Sequence, residues 1–120
     1  MIKGVHAMFY SPEAEALRAF LRDQLGLPYV DTGGGWLIFR QNEVEVAAHP
    51  ADKAWQQLSF YCDDLDQTMA ELTARGVEFV GGVTEHDWGR LTHFNAPGVG
   101  EVELYQPRYR TDGAASAGPG

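Results

Sequence analysis

The sequence predicts an α+β fold built from two pseudo-twofold βαβββ modules, and two observations carry that prediction. A strand running into a helix cap at residues 56–65 is echoed at residues 4–13. When the two are superposed, Gln57 falls on His6, and each stands seven residues before an acidic residue at a helix start, Asp64 or Glu13. Later landmarks recur roughly fifty to sixty residues apart: Gly26 with Gly76, and Val44-Glu45-Val46 with Val102-Glu103-Leu104. A period of that size can mark a solenoid or a propeller, but those need at least about three copies, so two copies mean a pair of modules.

In the first module, residues 2–10 alternate, with Val5, Ala7 and Phe9 on one face and His6, Met8 and Tyr10 on the other, the period of a strand. Ser11-Pro12-Glu13 reads as a helix start: Ser11 as N-cap, Pro12 at the first helical position, Glu13 near the positive end of the dipole. The helix is expected to reach about Leu25. Leu17, Phe20, Leu21 and Leu25 form its apolar stripe, and Gly26 ends it. Strands follow at 28–31, at 35–40 beyond a Gly-Gly-Gly turn, and at 43–48. Residues 50–54 are a polar connector between module one, about 1–50, and module two, about 55–108.

The second module repeats the plan. Residues 56–62 read as a strand, and Asp64-Leu65-Asp66-Gln67 offers an Asp-x-x-Gln capping box. Leu65, Met69 and Leu72 make the buried stripe of a helix that Gly76 ends. Strands are expected at 77–80, 89–95 and 100–106, with Asn95-Ala96-Pro97-Gly98 a turn between the last two. The whole is one domain over 1–110, and the Gly-, Ala- and Ser-rich residues 111–120 read as a disordered tail.

Size and charge exclude several function classes. A chain of 120 residues buries one core without staples. No run approaches the eighteen or so apolar residues of a membrane helix, so no membrane partner is expected. A net charge of −8, with few basic residues to neutralise phosphates, argues against nucleic acid. The opening residues run straight into a strand pattern with no export leader, and the single Cys62 suits a reducing compartment, so the expected localisation is cytoplasmic.

The motifs resemble the vicinal oxygen chelate superfamily, the fold of glyoxalases, bleomycin-resistance proteins and extradiol dioxygenases. The resemblance rests on His6 before Glu13, Phe20 with Leu25-Gly26-Leu27, Asp63-Asp64-Leu65, Ala74-Arg75-Gly76-Val77, and Pro97-Gly98 with Val102-Glu103-Leu104-Tyr105, and it spans residues 2–107. It implies that each module curls its strands into a half-barrel, the pair forming a curved mixed sheet around a cavity. It also implies metal ligands at His6, Glu45, Gln57 and Glu103. Glutamine at position 57, where histidine is commoner, makes extradiol cleavage a poorer fit, because that chemistry uses two histidines and a carboxylate for ferrous iron.

The residues themselves bear on this chemistry. Each of the four is flanked by apolar residues on the other strand face, and a carboxylate pointing into a half-barrel is costly without a cation or hydrogen-bond partners. One imidazole, one amide oxygen and two carboxylates suit a divalent ion such as Zn, Ni, Mn, Co or Fe. That ion would stabilise an enediolate-like intermediate, with Glu45 or Glu103 as catalytic base. A plainer account is that a Glu in an alternating strand marks the solvated face of a sheet.

Tyr10, Trp36, Tyr61, Trp88 and Arg90 are the candidate substrate-binding residues. Trp88 stands in the polar stretch 85–90 beside Arg90, where an aromatic can line a pocket and an arginine can pair an anion. His49, His86 and His93 read as ordinary surface or strand contacts, and Cys62 as buried and inert. Two functions follow: a small metal-dependent glyoxalase-like lyase or isomerase acting on an oxygenated metabolite, or a metal-free binder of the bleomycin-resistance type that takes a flat, cationic compound. Both imply a small-molecule ligand and a homodimer.

Overall fold

The computed structural model describes residues 6–45, 47, 50 and 52–108. The tail at 111–120, His49 and the first residues of the expected opening strand lie outside the described residues. In order come α1 (Ala14–Ala19), which widens into a π-helical turn over Phe20–Gln24, then β1 (Tyr29–Asp31), β2 (Leu37–Phe39), β3 (Ser59–Tyr61), α2 (Leu65–Ala74), β4 (Phe79–His86), β5 (Gly89–Ala96) and β6 (Gly100–Pro107). The fold is α+β, with a mixed four-stranded sheet in the order β3-β6-β5-β4 and a separate β1-β2 ladder. Among the described residues no helix is long and apolar enough to cross a membrane.

The second module forms as its sequence dictates. Asp64 caps α2 by accepting from the Gln67 N–H at 3.0 Å. The Gln106 side chain on β6 accepts from the Leu65 N–H at 2.8 Å, satisfying another donor at the same helix end. β3 runs parallel to β6, while β4, β5 and β6 are antiparallel neighbours. The parallel pairing requires a crossover, and α2 supplies it.

β4 runs well past the expected end at Val80. The expected strand stops just before Gly81 and Gly82, but these glycines, with φ of 80° and 75°, lie in a bulge within a longer strand. The ladder resumes beyond them, stepping from Val80 opposite His93 to Thr84 opposite Leu91. What reads as a loop at 85–90 is therefore two strand ends joined by a tight turn at Asp87-Trp88.

The first module departs further from expectation. Its helix and its β1-β2 hairpin form, but residues 6–10 and 43–45 carry no strand. Alternation specifies which face a residue takes, not which strand it pairs with, and these stretches have no ladder partner among the described residues. Ser11 is not the N-cap. Its Oγ accepts from the Glu13 N–H at 3.0 Å and donates to the Pro97 carbonyl at 3.2 Å, while Glu13 occupies the cap position without a side-chain bond.

The core joins the modules. Leu17, Phe20 and Leu21 of α1 and its π-helical turn pack with Leu65, Val77, Phe94, Ala96, Val102 and Leu104 of the second module. Phe94, 1% exposed, sits centrally, with its ring 6.0 Å from Phe20 and 6.2 Å from both Phe60 and Phe79. Gln24 Nε2 also donates to the Arg75 carbonyl at 3.2 Å, so the start and the end of the first helix are both tied to the second module.

Candidate functional site

Alternation along β5 and β6 sorts the sheet into two faces. Thr92, Phe94, Val102 and Leu104 turn toward the helices and are buried. The residues between them turn away. Ser59, Glu103 and His93 lie side by side across three strands in one row, and Tyr61, Tyr105 and Leu91 form the next. Cross-strand partners share a face, so this outward face carries a polar row beside an aromatic one.

The aromatic row extends into a continuous run of four rings. Tyr61 and Tyr105 stand 5.9 Å apart at 38°, and Trp88 meets Tyr105 edge-on at 5.6 Å and 80°. His86 stacks on Trp88 at 5.1 Å and 8°. Trp88 comes from the β4–β5 turn, and Gly89 beside it is buried where a Cβ would collide with the Gln106 carbonyl. That close approach of β5 to β6 is what brings the turn over Tyr105.

Two carboxylates border the rings, each held by a hydroxyl. Ser59 Oγ donates to Glu103 Oε2 at 2.8 Å, and Tyr105 Oη donates to Glu45 Oε1 at 3.1 Å. Gln57 Nε2 lies 3.5 Å from Ser59 Oγ, the long end of a chain from amide to hydroxyl to carboxylate. Hydroxyl-to-carboxylate bonds are charge-assisted and fix carboxylate orientation without a cation.

Of the four positions that the sequence marks for a metal, Glu45 and Glu103 reach this face, Gln57 meets its edge at Ser59 while exposed, and His6 is exposed. Among the described residues, no group of three or more His, Cys, Asp or Glu side chains is gathered to hold an ion.

The five candidate ligand contacts also divide. Tyr61 and Trp88 belong to the ring run. Tyr10 is 90% exposed, and Trp36 lies beside α1, its ring 4.5 Å from the Arg18 guanidinium. Arg90 pairs with Gln106 in the ladder and so turns toward the helices. Its Nη atoms donate to Asp66 at 3.2 and 3.3 Å and its Nε to Glu85 at 3.1 Å. The hydrogen bonds to Asp66 hold its pKa above the ordinary guanidinium value.

Tyr105, Ser59, His86 and His93 carry the site without having been singled out for it. Alternation shows that Tyr105 shares a face with Glu103, and Ser59 with Tyr61. The missing information is that β3 lies beside β6. On the other side of the sheet, Cys62, Leu72, Phe94 and Leu104 border a cavity of about 150 Å³. That is close to benzene-sized and below the ~300 Å³ of a drug-sized pocket.

Comparison with known proteins agrees with the architecture. The model of the Glyoxalase/Bleomycin resistance protein/Dioxygenase superfamily matches residues 4–104. A search of the curated proteins found no match. Among solved structures, TnmS3, an antibiotic binding protein from Streptomyces sp. CB03234, superposes with a TM-score of 0.59 at 22% identity, covering 89% of this chain and 99% of that one. A glyoxalase/bleomycin resistance protein/dioxygenase from Nocardioides gives 0.59 at 18% identity, covering 92% of this chain and 82% of that one. Lactoylglutathione lyase from Agrobacterium tumefaciens gives 0.52 at 21%, covering 82% and 88%. At these identities the structures bear on the fold alone, and with the sequence match over most of the chain they lead to one statement: the chain belongs to the Glyoxalase/Bleomycin resistance protein/Dioxygenase superfamily.

Proposed function

We propose that the protein binds a flat small molecule, neutral or cationic, on the outward face of its sheet, in the manner of a bleomycin-resistance type binder and without need of a metal. The observation that carries this reading is the run of rings from His86 through Trp88 and Tyr105 to Tyr61, bordered by the Glu45 and Glu103 carboxylates. Aromatic faces attract cations, with about 0.5–2 kcal/mol per contact, and a carboxylate beside them adds charge complementarity. The net charge of −8 works in the same direction. Arg90, the arginine expected to meet an anionic substrate, is instead engaged by Asp66 and Glu85. The antibiotic-binding neighbour makes a natural-product ligand a reasonable class to screen first. The reading further places the protein in the cytoplasm as a homodimer, a state that light scattering on the eluted protein measures directly.

Thermal-shift titration with cationic polycyclic dyes and glycopeptide antibiotics tests the proposal. A saturating rise in Tm is expected by mass action, and Trp88→Ala or Tyr105→Ala should weaken it about tenfold, the equivalent of ~1.4 kcal/mol. No shift across the panel sinks it.

One observation favours a second reading, a metal-dependent lyase or isomerase. Glu45 and Glu103, at matched positions of the two modules, both border Tyr105. Elemental analysis of protein prepared without a chelating tag decides it, alongside Glu103→Gln. Stoichiometric metal that the variant loses supports the enzyme, and no metal in the wild type removes it.

A further inference from the structure

We infer that Arg108 is the positioning residue of the aromatic wall: it locks the β4–β5 turn so that the Trp88 indole stands against Tyr105. The close approach of β5 to β6 at Gly89 brings the turn over Tyr105, and the ladder leaves the angle of the Trp88 side chain within that turn to other contacts. Arg108 follows directly on the end of β6 and grips that turn three times. Its backbone N–H donates to the Trp88 carbonyl at 2.8 Å. Its guanidinium donates through Nη1 to the His86 carbonyl, and through Nη2 to Glu85 Oε2 at 3.0 Å. Residues 85, 86 and 88 are thus held from one side chain and its own backbone.

The grip is itself braced. The second oxygen of Glu85 accepts from Arg90 Nε at 3.1 Å, and the Nη atoms of Arg90 bind Asp66 in the first turn of α2. A line of alternating charges, Asp66, Arg90, Glu85 and Arg108, runs from the helix to the turn. These ion pairs are largely exposed, with side-chain exposures of 40% for Arg108 and 60% for Glu85, and such pairs add little to global stability. Their effect is local, on the angle at which Trp88 is presented. The planar guanidinium matters because two donors must point in fixed directions at once, which an ammonium cannot reproduce.

The ligand arm of the test rests on the binding reading above, and the fluorescence arm does not. In a Trp36→Phe/Trp55→Phe background, Trp88 is the sole indole emitter. Arg108→Ala should shift its emission to the red and raise its acrylamide quenching constant, with Tm nearly unchanged. Affinity for a cationic dye such as acridine orange should fall roughly threefold to tenfold, as part of one ring contact is lost. Arg108→Lys, which keeps the charge but not the fork, should recover less than half of either effect. Glu85→Ala should move Trp88 emission the same way, and it serves as the test if Arg108→Ala fails to fold. Unchanged quenching in the folded variant, or full rescue by lysine, overturns the assignment. Dye that fails to bind wild-type protein sinks the binding reading, while the quenching result still decides the role of Arg108.

Discussion

Tyr105 concentrates the site at the scale of a single residue. Its hydroxyl holds Glu45, its ring meets Tyr61 and Trp88, and its carbonyl accepts from the Cys62 N–H at 2.9 Å. The sequence shows that Glu103 and Tyr105 share a strand face, since residues two apart do so in any strand. It contains nothing local to say that Tyr61, more than forty positions earlier, lies across from Tyr105. Cys62 is the converse case: its strand face was legible, although it is half-buried where full burial was expected. It follows Tyr61 and turns to the helix side, where burial pushes its thiol pKa up. A raised pKa leaves less thiolate at any given pH, so iodoacetamide at pH 8 should modify Cys62 more slowly in native protein than in urea. Equal rates by mass spectrometry would contradict that placement.

Among the elements, the helices were the easier half to read, because capping chemistry is local. Gly26 and Gly76 do end their segments with positive φ, and Asp64 does cap α2. Asp64→Ala should cost about 1 kcal/mol in urea denaturation, the usual loss of an N-cap acceptor. Ser11, the cap expected for α1, reaches across to Pro97 instead, and that long-range bond leaves no trace in the local pattern. The strands were harder. Residues 6–10 alternate as well as β6 does, yet among the described residues they have no ladder partner while β6 has one on each side, and a ladder is a property of two segments rather than one. The two glycines that hid the length of β4 did so because a bulge and a strand end share one local signature.

For the whole molecule, the twofold plan was visible in the repeat spacing, and the second module follows it closely. The unforeseen part is how the halves join: α1 lies against the second module's sheet, and Phe94 touches rings from both halves. Phe94→Ala should therefore cost about 3–5 kcal/mol and lower one shared unfolding transition, seen alike by circular dichroism and tryptophan emission. Separate transitions for the two signals would show modules that fold independently. The Gly81-Gly82 bulge has a consequence for life in a crowded solution. Among the described residues β4 pairs only with β5 and forms the margin of the sheet. A long straight strand at a sheet margin can template the addition of further strands, and the register shift midway along β4 interrupts the regular spacing that such growth requires.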